Sequence, residues 1–394
     1  MRLADLQFLL SPEGQKHLDQ LANEPITAES HFRVASQFRR SVDASQAHAL
    51  LETILLRQRA AIKFSQAAEM YFTREGLEQA SAEIVSAYRA KRFASLGVKR
   101  VADLGCGIGG DAISLTTSAE VIGVDWSPVR LAMAQENVRV YKNPNKFHPL
   151  QSDLMELNPF EVDALFSDPG RRDEHGKRIY SVNQYRPPLQ FLDRWREAVP
   201  AQCVKVSPGV RYGELPDDVE VEFISVNGEV REGVLWRGDL RTQVDRRATL
   251  LPGAFTLTNE HEVNANLSKI GSYLIEPDAA VIRAHLVEQL AHLINAARID
   301  VDIAYLTSDE ALASPFARFY PVEDAFPFQL KRLRTYLRER NVGRVTLKKR
   351  GSPLALEMLQ RNLRLDGDQQ RTIFLTRARG EPVVVVTGDP LRNK

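Results

Sequence analysis

The chain has 394 residues, 43% hydrophobic and 26% charged, and a formal net charge of +1. That length exceeds one ordinary hydrophobic core, so two or three domains are expected. No run approaches the roughly 20 apolar residues of a membrane span, and the N-terminus lacks a basic-then-apolar secretory signal, which predicts a cytosolic protein. Two cysteines, Cys106 and Cys203, exclude a disulfide framework and any zinc site built mainly on thiolates.

From Met1 to about Ala94 apolar residues recur at three- and four-residue spacing, as in Ala49, Leu50, Ile54, Leu55 and in Ala80, Ile84, Ala87, Tyr88. This predicts a helical lead-in domain over residues 1–94. Short apolar runs then alternate with amphipathic stretches. Arg100 to Leu104, Val121 to Asp125, Phe147 to Leu150, Val162 to Ser167 and Cys203 to Val206 predict strands with helix-like segments between them, hence a parallel sheet covered on both faces. Val219 to Val226 and Gly233 to Trp236 flank the pair Asn227-Gly228 and predict a hairpin whose loop can extend through Glu229 to Glu232. The α/β domain so defined covers 95–245.

A connecting α/β region, 246–325, holds the strand-like Ala248 to Leu257 and the amphipathic Pro277 to Ala297. A third unit, 326–394, carries a basic helix Leu330 to Arg340, a strand Arg344 to Lys348, a helix Pro353 to Asn362, and strands Thr372 to Thr376 and Pro382 to Thr387. No internal repeat or low-complexity segment is apparent.

The string Asp103-Leu104-Gly105-Cys106-Gly107-Ile108-Gly109-Gly110-Asp111 reads as strand, glycine turn, helix. Glycines at 105, 107 and 109 let the backbone turn sharply and approach a ligand that any β-carbon would obstruct. Gly105, Gly107 and Gly110 also satisfy the dinucleotide pattern, so the turn alone leaves a nicotinamide cofactor open. Asp103 shifts the balance, since an acid there opposes a pyrophosphate but can receive the ammonium of a methionine moiety. The turn is therefore read as a site for S-adenosylmethionine. Asp125, ending the next strand, is placed to accept hydrogen bonds from the ribose hydroxyls of either ligand, and Asp153, after the third strand, to reach an adenine amino group. Asp153 reads equally as a helix-starting acid.

Phe166-Ser167-Asp168-Pro169-Gly170-Arg171-Arg172-Asp173 follows the fourth strand, whose carboxyl end faces the crevice where such sheets bind ligands. Methyl transfer depends mainly on positioning a nucleophile in line with the sulfonium methyl. In amino-methylating enzymes of nucleic acids this strand end carries Asp-Pro-Pro-Tyr, Asn-Pro-Pro-Tyr or Ser-Pro-Pro-Trp. Asp168 and Pro169 keep the first half of that arrangement, and Arg171 stands where the aromatic would be, a guanidinium plane that can stack on a base or grip phosphate. A plain turn capped by Asp168 is the competing reading. His148 and His175 lie near these segments with no second ligand spaced to hold a metal, so no metal site is expected.

Between Phe326 and Gly380 fourteen Lys and Arg face four acids, a local net of +10 in a nearly neutral chain. Lys331, Arg332, Arg334, Arg338 and Arg340 share a short helix and Lys348-Lys349-Arg350 follow. Such a cluster can neutralise several phosphates, against the plainer reading of a solvated face.

Together the segment Leu77-Glu78-Gln79-Ala80-Ser81, the glycine turn, Ser167 to Asp173, Val206-Ser207-Pro208-Gly209, Gly228-Glu229-Val230-Arg231-Glu232 and the tail Phe326 to Gly351 resemble the bacterial class I methyltransferase-like proteins with a C-terminal THUMP-like domain. Members often read Asp-Pro-Ala-Arg-Arg where this chain has Gly170. More distantly the core resembles trimethylguanosine synthase, whose tryptophan after the proline is absent here. The resemblance implies an α/β fold: a Rossmann-like class I sheet with an antiparallel final strand, an N-terminal helical domain and a C-terminal α+β THUMP-like domain. Because THUMP modules bind RNA, it implies an RNA substrate.

The expected function is S-adenosylmethionine-dependent methylation of a nitrogen of an RNA base. Asp168 would orient the target amine, Pro169 and Arg171 would place the base, and Asp103, Gly105, Gly107, Gly109, Asp125 and Asp153 would hold the cofactor. Lys331, Arg332, Arg334, Lys348, Lys349 and Arg350 would contact RNA. Binding of RNA and cofactor without transfer, an NAD-dependent enzyme, and methylation of a protein or small metabolite are the alternatives.

Overall fold

Helix formation at the N-terminus follows the spacing and the caps. In the computed structural model, which describes residues 1–20, 29, 33–34, 36, 38–171, 177 and 179–391, the first helices are α1 (Leu3–Leu10), α2 (Pro12–Gln20), α3 (Ala44–Ala60), α4 (Arg74–Gln79) and α5 (Glu83–Ser95). Asp43 starts α3 with a reciprocal capping box: its Oδ1 accepts from Gln46 N at 2.9 Å while Gln46 Oε1 accepts from Asp43 N at 3.1 Å. Leu50, Ile54 and Ala60 face inward on α3.

The chain divides into two compact units, Met1–Glu220 with Glu232–Thr242, and Val221–Arg231 with Gln243–Lys394. In the first, β1 (Arg100–Leu104) is parallel to β2 (Glu120–Asp125) on one side and to β4 (Ala164–Ser167) on the other. Beyond them lie β3 (Phe147–Gln151), parallel to β2, and β5 (Gln202–Val206), parallel to β4. The chain thus lays down β1, β2 and β3 in one direction and returns past β1 to β4. The boundary between β1 and β4 is a topological switch point, where sheets of this kind bind ligands at the strands' carboxyl ends. Strand β6 (Val219–Val226) precedes β7 (Glu229–Arg237), which runs antiparallel to β5.

Helices α6 (Ala112–Leu115) and α7 (Pro128–Val140) follow β1 and β2. Asn137, fully buried on α7, accepts from Tyr71 N at 2.8 Å and donates to Ile108 O at 2.8 Å, so the segment before α4 braces the glycine turn.

Two expectations change in detail. The segment between β4 and β5 forms 3-10 turns at Val182–Gln184 and Leu189–Trp195 instead of an α-helix, because Pro187 and Pro188 remove the amide donors a helix would need. The hairpin turn is two residues long: Asn227 and Gly228 take φ of 53° and 84°, the left-handed pair of a tight hairpin, and Glu229 already belongs to β7.

In the second unit β8 (Arg246–Leu251) is parallel to β6 and antiparallel to β9 (Phe255–Thr258). The single run read from Ala248 to Leu257 is therefore a hairpin, broken where Pro252-Gly253 supplies a turn. A seven-stranded sheet follows, built from β10 (Tyr273–Pro277), β11 (Ala297–Arg298), β12 (Leu306–Ser308), β13 (Ala317–Pro327), β14 (Val342–Lys349), β15 (Gln369–Ala378) and β16 (Glu381–Thr387) in the order β11-β12-β10-β13-β16-β15-β14.

Its helices are α8 (Ala279–Arg283), α9 (Val287–Leu293), α10 (Leu330–Glu339) and α11 (Leu356–Leu363). Strand periodicity sorts the core. Ile373, Leu375, Val384 and Val386 pack with Leu333 and Leu337 of α10 and Leu359 and Leu363 of α11, whereas Phe374 and Val385 pack with Tyr305 and Tyr320 on the opposite face. No helix among the described residues is long and apolar enough to cross a membrane.

Candidate functional site

Asp103 is 1% exposed in β1, and neither of its carboxylate oxygens has a hydrogen-bond partner among the described residues. Burial, with Asp111 and Asp168 nearby, pushes its carboxyl well above the ordinary carboxylate range, with Arg89 pulling the other way. After β1 the chain reverses through Gly105, Gly107 and Gly109, at φ of 86°, 55° and 82°. A β-carbon at Gly109 would lie 3.1 Å from Ala134 of α7, so this glycine serves close packing. At Gly107 the nearest atom to such a carbon would be 4.0 Å away, which leaves the turn's backbone open.

Asp125 is 5% exposed and ties the two strand ends together: Gly107 N donates to its Oδ2 at 3.1 Å and Ser127 N to its Oδ1 at 2.8 Å. Burial raises its carboxyl, opposed by those two amides and by Arg130. Both oxygens retain lone pairs for further donors. Asp153 is exposed, and its Oδ1 accepts from Met155 N at 2.9 Å, a capping arrangement. Trp126, directly after Asp125, is 68% exposed, with the Arg130 guanidinium 5.9 Å from its ring centre.

At the end of β4, Asp168 N donates to Leu104 O at 3.3 Å, so this loop lies against the end of β1. Pro169 is buried, and Gly170 exchanges two backbone hydrogen bonds with Arg186, at 2.8 and 3.0 Å. Arg171 stands 3.9 Å from Asp168 Oδ1. The larger finding is Lys205, on β5 and only 3% exposed, whose Nζ donates to Asp168 Oδ2 at 2.6 Å, to Ser81 Oγ at 3.0 Å and to Gln79 O at 3.4 Å. Burial opposes ionisation of Asp168, but Lys205 and Arg171 outweigh it and hold the carboxyl below its ordinary value. Burial likewise lowers the Lys205 ammonium, with Asp168 working against it.

Ser81 also accepts from Arg89 at 2.9 Å, and Arg89, 2% exposed, pairs with Asp111 and Glu232 and lies 5.0 Å from the Phe166 ring. Lys205, Arg89, Asp111, Ser81 and Glu232 were not picked out individually from the sequence. The available signal was a lysine inside the apolar strand Gln202–Val206. Arg172, Asp173 and His175 lie outside the described residues.

Within the second unit the basic residues differ in employment. Lys331 is exposed and Arg334 half-buried, and neither has a partner among the described residues, while Arg332 stacks 4.4 Å from the Phe326 ring centre. Lys348 pairs with Glu276 and donates to Tyr320 Oη at 2.9 Å. Lys349 donates to Leu354 O at 2.9 Å, and Arg350 donates to Ala304 O at 2.7 Å and lies 4.6 Å from the Tyr305 ring centre.

Residues 101–168 match a methyltransferase domain family, 317–389 a THUMP domain-like family, and 2–60 a domain of unknown function. In two Mycobacterium tuberculosis strains, CDC 1551 / Oshkosh and ATCC 25618 / H37Rv, an uncharacterized S-adenosylmethionine-dependent methyltransferase is 33% identical over 344 residues, covering 83% of this chain and 92% of that protein. The chain belongs to this S-adenosylmethionine-dependent methyltransferase family. A solved protein of Porphyromonas gingivalis W83, proposed to be a methyltransferase, shares the fold with a TM-score of 0.72 over 92% of this chain and 99% of its own, at 20% identity.

The methyltransferase's cofactor is S-adenosylmethionine, and the residues present fit it. A buried carboxylate without a partner suits an ammonium, and a glycine turn with open backbone suits close approach. When bound, the cofactor supplies an electrophilic methyl group on a sulfonium. The THUMP-like stretch begins with β13 at Ala317, nine residues before the boundary expected at Phe326.

Proposed function

We propose that this methyltransferase acts on an exocyclic amino nitrogen of an RNA base. The observation that carries the reading is the state of Asp168. Its Oδ2 is held by Lys205, whereas among the described residues Oδ1 has only the Arg171 guanidinium, at 3.9 Å, beyond hydrogen-bond distance. An ionised carboxylate with one oxygen to spare accepts a hydrogen bond from an N–H group. Exocyclic amines of bases offer one. Ring nitrogens with an exposed lone pair and no hydrogen would be repelled.

Arg171 and the buried Pro169 would flank the base; the amine nitrogen would bond the methyl carbon as that carbon's bond to sulfur breaks, leaving S-adenosylhomocysteine, and would then release its proton to solvent. Asp103 would receive the cofactor ammonium, Gly105, Gly107 and Gly109 would admit its backbone-facing edge, and Asp125 would accept from the ribose hydroxyls. Trp126 would cover the adenine, with Asp153 at its amino group. The RNA half of the proposal is supported by the THUMP-like stretch and by Lys331 and Arg334, cations without a partner among the described residues.

The test is incubation of the purified protein with methyl-labelled S-adenosylmethionine and RNA from cells lacking the gene, followed by digestion and mass analysis of nucleosides. A labelled amino-methylated nucleoside is expected. Label confined to protein or small-molecule fractions, or RNA bound without any label, would overturn the reading.

A further inference from the structure

The ammonium of Lys205 has three protons and meets three acceptors, from two parts of the chain: Asp168 Oδ2 after β4, and Gln79 O and Ser81 Oγ at and just past the end of α4. None of its donors remains for a substrate. We infer that Lys205 is a positioning residue that orients Asp168 and keeps it ionised, and that the Gln79–Ser81 segment, by fixing Lys205, makes the N-terminal helical region part of the methyl-transfer apparatus. This rests on the assignment of Asp168 as acceptor of the target amine.

The arrangement explains why several separate strings in the sequence belong together. Ser81 bridges Lys205 and Arg89, and Arg89 in turn pairs with Asp111, just past the glycine turn, and with Glu232, at the end of the Gly228 to Glu232 string. Five segments distant in sequence therefore meet in one buried set of charges. Single removal within such a set leaves an opposite charge buried and unpaired. Among the described residues the charged and titratable groups around Asp168 are Lys205 on β5, Arg171 in its own loop, Arg89 on α5, Asp103 on β1, and Tyr185. Lys205 is the only one of these hydrogen-bonded to it among the described residues.

The experiment compares wild type, Lys205→Met, Lys205→Arg and Ser81→Ala in methyl transfer to RNA across pH, with cofactor affinity measured by calorimetry. Lys205→Met is expected to lower kcat about 100-fold with KM for RNA and cofactor Kd within about three-fold, and to move the acid limb of the kcat profile to higher pH because Asp168 loses its counter-charge. Lys205→Arg restores the limb towards the wild-type position. Ser81→Ala gives a smaller fall, about five-fold, with the same direction of shift, and carries the test should Lys205→Met fail to fold.

Independently of any substrate, denaturation of Lys205→Met, Asp168→Asn and the double variant should be non-additive, with the double variant more stable than Lys205→Met alone. An unmoved acid limb, or strictly additive denaturation effects, overturns the assignment. Absence of transfer to RNA by wild type would instead refute the RNA reading, and the denaturation cycle would still decide the role of Lys205.

Discussion

Asp103 and Asp168 sit at the ends of neighbouring parallel strands, where Asp103 pairs in register with Phe166 and Leu104 with Ser167. Their electrostatics are opposite. Asp103 is buried with no hydrogen-bond partner among the described residues and its carboxyl is pushed up; Asp168 has a buried lysine at 2.6 Å and its carboxyl is held down. The same residue type in one crevice is thus prepared in two ways. In the proposed division of roles, the acid that would meet a cationic ligand has no hydrogen-bonded cation among the described residues, and the acid that would accept from the target amine has one. A buried carboxylate without a partner costs stability, and an ion pair offsets part of that cost.

The largest expected effect breaks the Asp168 side of this comparison. Asp168→Ala should lower kcat by about 100- to 1000-fold while leaving S-adenosylmethionine affinity within about three-fold, read by single-turnover transfer and calorimetry. Loss of cofactor binding in that variant would contradict the division of labour between the two acids.

Next in size is Asp103→Asn, which should weaken cofactor binding about 30-fold and yet stabilise the cofactor-free protein. The sign follows from linkage. Burial raises the folded-state carboxyl above its unfolded value, so the stability this group contributes is complete at acid pH and is lost as pH rises through the raised value. Asparagine removes the loss. The gain in Tm should therefore be largest at alkaline pH and vanish below the ordinary carboxylate range, a trend that thermal melts in a buffer series would check. For wild type, cofactor affinity should fall as pH drops and Asp103 becomes neutral; equal affinity at both ends of the series would argue against an ammonium partner.

A third contrast lies between Asp125 and Asp153. Asp125 fastens Gly107 and Ser127, so Asp125→Ala loses the loop anchor together with the ribose acceptor, and a fall in affinity of about 10-fold or more is expected. Asp153 is exposed and already caps Met155 N, so Asp153→Ala should change Kd by no more than about three-fold in the same titration.

The residues proposed to hold the cofactor could be singled out in the sequence because their signals are local. Asp103, the glycines and Asp125 fall within 23 residues, each at a strand end or turn where backbone geometry restricts the residue type. The β-strands of the first unit were readable for the same reason, as short apolar runs. Lys205 was not readable, since its partners Ser81 and Asp168 are 124 and 37 residues away and nothing in a single lysine announces a buried ammonium. Arg89 was hidden among the apolar residues of α5 for the same reason. In the basic tail, runs of Lys and Arg suggested one surface. The pairing of Lys348 with Glu276, 72 residues earlier, is a tertiary fact that charge counting does not contain.

That last difference yields the smallest predicted effect. Lys331 is exposed and without a partner among the described residues, so a phosphate it contacts would release counterions, and Lys331→Ala should reduce the steepness of log K against log salt by about 0.7 to 1. Lys348 is already engaged by Glu276 and Tyr320 and so has no phosphate contact to lose, and Lys348→Met should leave the slope unchanged within about 0.3. The carboxylate of that half-buried pair answers in the other measurement. Without Lys348 the Glu276 carboxylate keeps only the Tyr320 hydroxyl, at 3.1 Å, and the variant should melt lower, while Lys331→Ala should melt like wild type. Filter binding of total RNA between 50 and 200 mM salt, beside thermal melts of the same preparations, would separate the two. Equal slopes for both variants would mean that Lys331 meets no phosphate, and a reduced slope for Lys348→Met would mean that the Glu276 pair opens to admit one.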